Sequence, residues 1–303
     1  MLRSEGVAIP MSLDRPRWYW HPYNRAGLYR SAEALGFIPR PVRLAVARRL
    51  GHLAPRFLPA ERAAVSTTLG IVTGASGSRL NTLTSHVFRD FAMCFSDLVS
   101  TNRQPATRLF SYVDSVNGAE HVAGLSGGLV SVTAHVGNWE LAGRLLATHS
   151  TRRTHVVVAP EEAPELERWV RRDGDGVRFV PRAHPGIGVA LMAALRRGDV
   201  VALQGDRAIG TRGNVSIPFF GRPASFPVGP YVLARAARVP VVPAFCLLGP
   251  GYRYRVEIAA PIVVERGHEE DAARVWVRLL EDVVRAHPTQ WFNFFDVWTP
   301  GPP

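Results

Sequence analysis

A chain of 303 residues that is 47% hydrophobic can bury a large core without help from disulfides or metals. Its two cysteines, Cys94 and Cys246, lie far apart in apolar company (FAMCF and PAFCLL) and read as buried free thiols of a reducing compartment, while the absence of CxxC and HExxH leaves no motif for a zinc site and no metal is expected. The net charge of +11 comes entirely from arginine, since the sequence contains no lysine; planar guanidinium groups suit phosphate and carboxylate partners, which makes an anionic membrane surface, an acidic protein or nucleic acid plausible company.

No run of eighteen apolar residues occurs, so no helical membrane span is expected. The start of the chain lacks the charged-then-apolar layout of a signal peptide, so the protein is expected to stay on the cytoplasmic side. Trp18, Tyr19, Trp20 and Tyr23 form an aromatic group that reads as an N-terminal plug or an interfacial anchor. Residues 24–103 read mostly as helices broken by proline and glycine. Within them, 41–58 interleaves Val42, Leu44, Val46, Leu50, Leu53 and Phe57 with Arg43, Arg48, Arg49 and Arg56. That pattern fits a basic amphipathic helix lying on an anionic bilayer, and equally a core helix with a solvated arginine face.

From residue 119 the rhythm becomes strand and helix in alternation. Strands are predicted at 129–134, 155–159, 177–180, 200–204, 242–248 and 252–259, with helices at about 139–148, 163–172, 186–197, 229–238 and 270–286. Apolar strands alternating with amphipathic helices predict one α/β domain, a mostly parallel central sheet covered by helices. The division expected is a helical N-terminal region, 1–118, packed on an α/β catalytic core, 119–303.

Ligands of such folds sit beyond the carboxyl ends of the strands. The stretch SVTAHVGNWELAG puts His135 at that point, directly after the first clear strand. On one continuous helix His135 and Glu140 would point about 140° apart. The intervening Gly137-Asn138 supplies a turn, with Asn138 as helix N-cap and Glu140 in the first helical turn, so the two side chains can converge. A histidine oriented by a carboxylate is a general base able to activate a hydroxyl directly. The competing reading is a structural histidine at a helix cap, because the spacing alone is weak.

Acyl transfer from a thioester would also need phosphate-binding and oxyanion-stabilising groups. The stretch 204–230, which starts at a strand end, offers Asp206, Arg207, Arg212 and Arg222 among glycines, against the alternative of a solvated turn region. Its segment PFFGRPASFP, with Phe219, Phe220 and Gly221, is too apolar for an exposed loop and is expected to line or lid a cavity. Arg182 follows another strand end at the same edge. HPTQWFNFFDVW (287–298) reads as buried core, or alternatively as a wall of an acyl-chain cleft. GLSGG (124–128) matches the nucleophile elbow of hydrolases but precedes a strand, so it is read as a turn.

Taken together, HVGNWE after a strand, GDR before a glycine-rich turn and FFGRPASFPVGP, and the terminal QWFNFFDVW resemble the bacterial lipid A late acyltransferase family, within the lysophospholipid acyltransferase superfamily. The family includes phosphatidylinositol mannoside acyltransferases, and the resemblance runs from about residue 85 to 298. It implies an α/β acyltransferase in which His135 and Glu140 of the H-x4-E motif are catalytic, with Asp206 and Arg207 as polar active-site residues. It implies no cofactor beyond acyl-CoA or acyl carrier protein as co-substrate, and a glycolipid or phospholipid acceptor. Expected substrate contacts are Gly137, Asn138, Arg182, Asp206, Arg207, Arg212, Phe219, Phe220, Gly221 and Arg222. The expected setting is peripheral, on the cytoplasmic face of the inner membrane, with anionic lipid and an acidic carrier protein as partners and no specific nucleic acid. The lack of an N-terminal membrane helix, and Asn-Phe-Phe-Asp where lipid A enzymes tend to end arginine-rich, point away from lipid A as acceptor. The rival class is a basic lipid-binding protein that keeps the fold without the chemistry.

Overall fold

A computed structural model describes residues 37–101, 106–148, 152–158, 176–182, 184–208 and 213–298. The Trp18–Tyr23 aromatic group, the helix predicted at 163–172 and Arg212 lie outside the described residues. The described elements run α1 (Arg40–Leu53), α2 (Pro59–Thr73), α3 (Gly77–Thr101), α4 (Ala106–Phe110), β1 (Val113–Asn117), α5 (Glu120–Ala123), β2 (Leu129–Thr133), α6 (Trp139–Thr148), β3 (Thr154–Val158), β4 (Val177–Pro181), α7 (Ile187–Arg196) and β5 (Val200–Gln204). After these come β6 (Asn214–Phe219), β7 (Arg222–Pro227), α8 (Gly229–Ala237), β8 (Val241–Leu248), β9 (Tyr254–Ile258) and α9 (Glu269–Ala286).

Seven strands form one sheet in the order β1-β9-β8-β2-β5-β3-β4. The run β8-β2-β5-β3-β4 is parallel. The pair β9 and β1 is parallel internally but antiparallel to β8, so the sheet is mostly parallel with a reversed edge. Strand β2 lies near the centre, and its Leu129–Val132 are buried, as a continuous apolar run in a covered sheet requires. All eight residues of β8 are likewise buried.

Helices cover both faces. One core layer packs α9 through Ala273, Trp276, Val277, Leu280 and Val284 with Val130, Val132 and Phe245 of the sheet. Those α9 positions recur at helical spacing, which puts one stripe inward. The other layer gathers Leu44, Leu69, Phe88, Met93, Leu141 and Leu145 against Val242, Ala244 and Cys246. Helix α1 crosses α3 so closely that a Cβ on Gly51 would sit 2.6 Å from Arg89 Cα, so only glycine fits there.

Two expectations change. The N-terminal region is not purely helical, because residues 113–117 form edge strand β1, whose half-exposed VDSVN carries little apolar signal. The segment PFFGRPASFP is a β-hairpin, β6–β7, turning at Phe220 (φ 49°) and Gly221 (φ 75°) as a tight two-residue loop. Alternate residues Ile217, Phe219, Ala224 and Phe226 are buried, so the hairpin is a core layer and not a lid. Cys94 and Cys246 are free and buried, and burial pushes both thiols above their ordinary pKa.

Candidate active site

The site begins at the carboxyl end of β2. In the parallel pair β2–β5, Thr133 stands opposite Gln204. Two residues beyond each lie His135 and Asp206, and the register brings them together. His135 Nδ1 donates to Asp206 Oδ1 at 2.8 Å, and the His135 backbone N–H donates to Oδ2 at 3.0 Å. Trp291 Nε1 also donates to Oδ2, at 3.1 Å. The carboxylate is thus held by three donors, and it fixes the histidine in the tautomer with the proton on Nδ1 and the lone pair on Nε2.

This corrects the role given to Glu140. The carboxylate that takes Nδ1 is Asp206, reached across neighbouring strands rather than around the following turn. Glu140 sits half-buried in the first turn of α6. The ring of Trp139, one residue earlier, meets the imidazole edge-on with centroids 4.9 Å apart.

The turn itself follows expectation. Gly137 has φ 60°, and a Cβ there would fall 2.1 Å from the Cys246 carbonyl oxygen, so the position requires glycine. Asn138 caps α6, its Oδ1 accepting from Leu141 N at 3.4 Å. Its Nδ2 donates to Cys94 O and Tyr254 Oη, both at 3.1 Å. The backbone N–H groups of Gly137 and Asn138 donate to Gln290 O and Cys246 O, each at 2.8 Å. These two residues, expected among the substrate contacts, have their amides engaged by the protein, and the Asn138 side chain is structural rather than substrate-binding.

Electrostatics favour a base. Burial, and after it the charge of Arg207, lowers the His135 pKa below the ordinary imidazole value against the pull of Asp206. Burial would raise the Asp206 carboxyl, but its contacts with His135, helped by Arg207, outweigh that and hold it well below the carboxylate range. Near neutral pH the pair is therefore a neutral imidazole bonded to a carboxylate. The His135 side chain retains 12% exposure, so the ring can be reached.

Arg207 is half-buried and anchored to the C-terminal segment, Nε to Asn293 Oδ1 at 3.0 Å and a terminal nitrogen to Phe292 O at 2.9 Å. That segment, expected as buried core or as a wall of an acyl-chain cleft, is part of the site. It is buried at Gln290, Trp291, Phe292 and Asn293, as expected, yet it also positions Asp206 through Trp291 and the loop of Gly137 through Gln290 O. The signal available was Gln, Trp and Asn within one apolar run, since buried polar groups need partners.

The remaining candidates are dispersed. Phe219 is fully buried and packs on Trp291 with ring centroids 5.3 Å apart, so it buttresses Trp291 instead of touching substrate. Phe220 donates its N–H to Glu281 and lies against Arg285, away from the histidine. Gly221 and Arg222 are exposed at the hairpin turn and its first strand residue. Arg182 is exposed beyond β4, three strand positions from β2, roughly 14 Å across the sheet. Ser126 of GLSGG lies between α5 and the start of β2, at the opposite edge from His135, as a turn reading requires. Among the described residues no group of three His, Cys, Asp or Glu side chains could hold a metal ion.

Beside the imidazole, the half-buried Trp139, Phe91 and Phe294 and the buried Phe292 form an aromatic group, with centroid separations of 6.2 Å for Trp139–Phe292, 5.3 Å for Phe91–Phe292 and 5.2 Å for Phe91–Phe294.

Residues 27–299 match the family described as bacterial lipid A biosynthesis acyltransferase. The chain is similar to the phosphatidylinositol mannoside acyltransferase of Mycobacterium tuberculosis, in strains CDC 1551 / Oshkosh and ATCC 25618 / H37Rv, at 32% identity over 197 residues. That alignment covers 60% of this chain and 59% of the length of the relatives. Among solved structures, the 1-acyl-sn-glycerophosphate (LPA) acyltransferase PlsC of Thermotoga maritima matches at 16% identity with a TM-score of 0.41, over 84% of this chain and 100% of that one.

Proposed function

This chain belongs to the bacterial lipid A biosynthesis acyltransferase family, and from that premise we propose that it transfers a fatty acyl group from a thioester, acyl-CoA or acyl carrier protein, to a hydroxyl of a glycolipid or phospholipid. The observation that carries the reading is the His135–Asp206 pair at the mouth of β2 and β5, with Asp206 held by three donors. The relatives named as phosphatidylinositol mannoside acyltransferases favour a glycolipid acceptor.

The chemistry follows from the tautomer. His135 Nε2 takes the proton of the acceptor hydroxyl as its oxygen attacks the thioester carbonyl. Asp206 stabilises the imidazolium that forms. The charge of Arg207, which opposes that imidazolium in the resting enzyme, favours negative charge on the carbonyl oxygen. Collapse breaks the carbon–sulfur bond, and the proton passes from His135 to the departing thiolate. The ester and a free thiol leave. The aromatic group around Phe91 and Phe292 supplies an apolar wall for the acyl chain.

Helix α1 is the surface we assign to the membrane. Its buried face is Arg43, Leu44, Ala47 and Gly51, while Val42, Val46, Leu50 and Leu53 are exposed, as is Phe57 just beyond it. A continuous apolar stripe next to the exposed Arg48, Arg49 and Arg56 fits the interface of an anionic bilayer. No helix among the described residues is long and apolar enough to cross a membrane. The two unpaired buried thiols accord with a reducing compartment, and so with the cytoplasmic face.

The test is to incubate purified protein with acyl-CoA and acyl-carrier-protein donors and polar lipids of the source cell. A new acylated lipid with stoichiometric thiol release is the expected result. Absence of transfer with every donor, including to purified mannosylated phosphatidylinositol, would sink the reading and favour a lipid-binding protein.

A further inference from the structure

Away from the histidine the molecule has a polar cavity of about 400 Å³, lined by Arg40, Arg43, Arg108, Ser111 and Tyr112 together with Phe37, Ile38 and Pro39. It sits at the start of β1, beside β9. Because β9 is antiparallel to β8, and β8 parallel to β2, this is the same edge of the sheet that carries His135.

Its charge is unbalanced. Among the described residues, three guanidinium groups line it and no acidic side chain does. From beneath, the buried Asp97 accepts from Arg40 at 2.8 and 3.1 Å and from Arg43 at 3.0 Å, so two of the cations share one carboxylate. Arg43 is 4% exposed, yet its Nε has no hydrogen-bond partner. A buried guanidinium donor left unsatisfied is costly. Together these features describe a site suited to an anion. The lining also has an apolar part: Phe37 is 91% exposed, and it leads into α1, whose outward stripe is equally bare.

We propose that this cavity binds a phosphate ester, the phosphodiester headgroup of an anionic lipid, with Arg108 and Arg40 on its oxygens and the apolar part of the lining against the proximal acyl chains. Guanidinium forks match phosphate geometry and the apolar part matches the rest of such a molecule. The site also touches the catalytic turn through a buried chain of bonds. Tyr254 Oη donates to Asp97 Oδ2 at 2.9 Å and accepts from Nδ2 of Asn138, the residue that caps α6 three positions after His135. Filling the cavity therefore loads the same carboxylate that steadies the catalytic helix. The proposal shares only α1 with the docking surface above, and a soluble headgroup tests it without bilayer or acyl transfer.

The experiment is calorimetric titration of the full chain with glycerophosphoglycerol, the water-soluble headgroup of phosphatidylglycerol. Arg108→Glu is the test variant, because Arg108 is exposed and its replacement leaves Asp97 paired. Arg278→Glu, on the exposed face of α9, carries the same change in net charge elsewhere. Saturable binding is expected for wild type and Arg278→Glu, weakened about tenfold or more in Arg108→Glu. No saturable binding, or equal weakening in both variants, would overturn the site. A second arm compares vesicles of phosphatidylcholine with and without phosphatidylglycerol. If the headgroup binds but anionic vesicles hold wild type no better than Arg108→Glu, the phosphate site stands and its lipid source is overturned.

Discussion

Replacing Asp206 by Asn tests the tautomer argument at its origin. In the native site Oδ2 accepts two N–H groups, from the His135 backbone and Trp291 Nε1, while Oδ1 accepts from Nδ1. An amide has one acceptor oxygen and one NH2 donor. If the oxygen faces the backbone and the indole, the NH2 meets Nδ1, which must then accept, and the imidazole proton moves to Nε2. The base loses its lone pair. The opposite orientation sets NH2 against two buried N–H donors, at a cost of about 1–3 kcal/mol for each donor left unsatisfied, so the first wins. General-base catalysis is worth about 10²–10⁴-fold, or roughly 3–5 kcal/mol of barrier, and kcat should fall by that much with KM little changed. The assay is thiol release from acyl-CoA at saturating acceptor, with the variant's fold checked by circular dichroism. Glu140→Gln serves as the comparison and should cost clearly less. Asp206→Asn within about threefold of wild type would refute the reasoning. So would a larger loss in Glu140→Gln, which would return the orienting role to the helical carboxylate.

Other outcomes follow from the same geometry. The pH profile of kcat/KM should show an acid limb below about 6.5, the ordinary imidazole value, because burial and Arg207 lower the His135 pKa and keep it neutral there. Arg207→Gln removes the second of those causes, so the limb should move to higher pH; an unmoved limb would mean that the guanidinium does not act on the histidine. Asp206, whose folded pKa is depressed, adds stability that is present above its unfolded pKa of about 3.9 and lost as pH falls further. Wild type should therefore lose more of its thermal stability than Asp206→Asn as pH is lowered through that range, and parallel losses would contradict it. Gly137→Ala should destabilise by about 2 kcal/mol or more, since it strains a left-handed residue and drives a Cβ against the Cys246 carbonyl; an unchanged melting temperature would disprove the close approach. Val46→Asp with Leu50→Asp should abolish binding to anionic vesicles at low salt while leaving the melting temperature within a few degrees, and a large loss of stability instead would identify the stripe as buried.

Local features were the legible ones. A β-branched run ending in His135, then Gly-Asn and a helix, gave strand, turn, cap and helix in the right order, because each depends on neighbours a few residues away. The parallel sheet was likewise readable from continuous apolar strands alternating with amphipathic helices. Strand order was not. Asp206 reaches His135 only because β5 lies beside β2 although β3 and β4 intervene in the chain, and nothing local marks that adjacency. The spacing H-x4-E therefore drew attention to the carboxylate nearest in sequence. The β6–β7 hairpin was obscured by Pro218, Pro223 and Pro227, which argue against a strand. A two-stranded ribbon has only edges, so these prolines are tolerated, and Pro218 even stands opposite Pro223. Likewise Trp291 looked like simple core, and its indole N–H gained meaning only when Asp206 was placed beside it.

The measurement that bears most directly on the central claim is mass spectrometry of lipids acylated by wild type and by His135→Ala, each incubated with acyl-CoA, acyl carrier protein and mannosylated phosphatidylinositol. The account predicts an acylated product from wild type and none above background from a variant that retains its circular dichroism spectrum. Equal product from both would contradict it, because the proton of the acceptor hydroxyl would then be taken by a group other than His135.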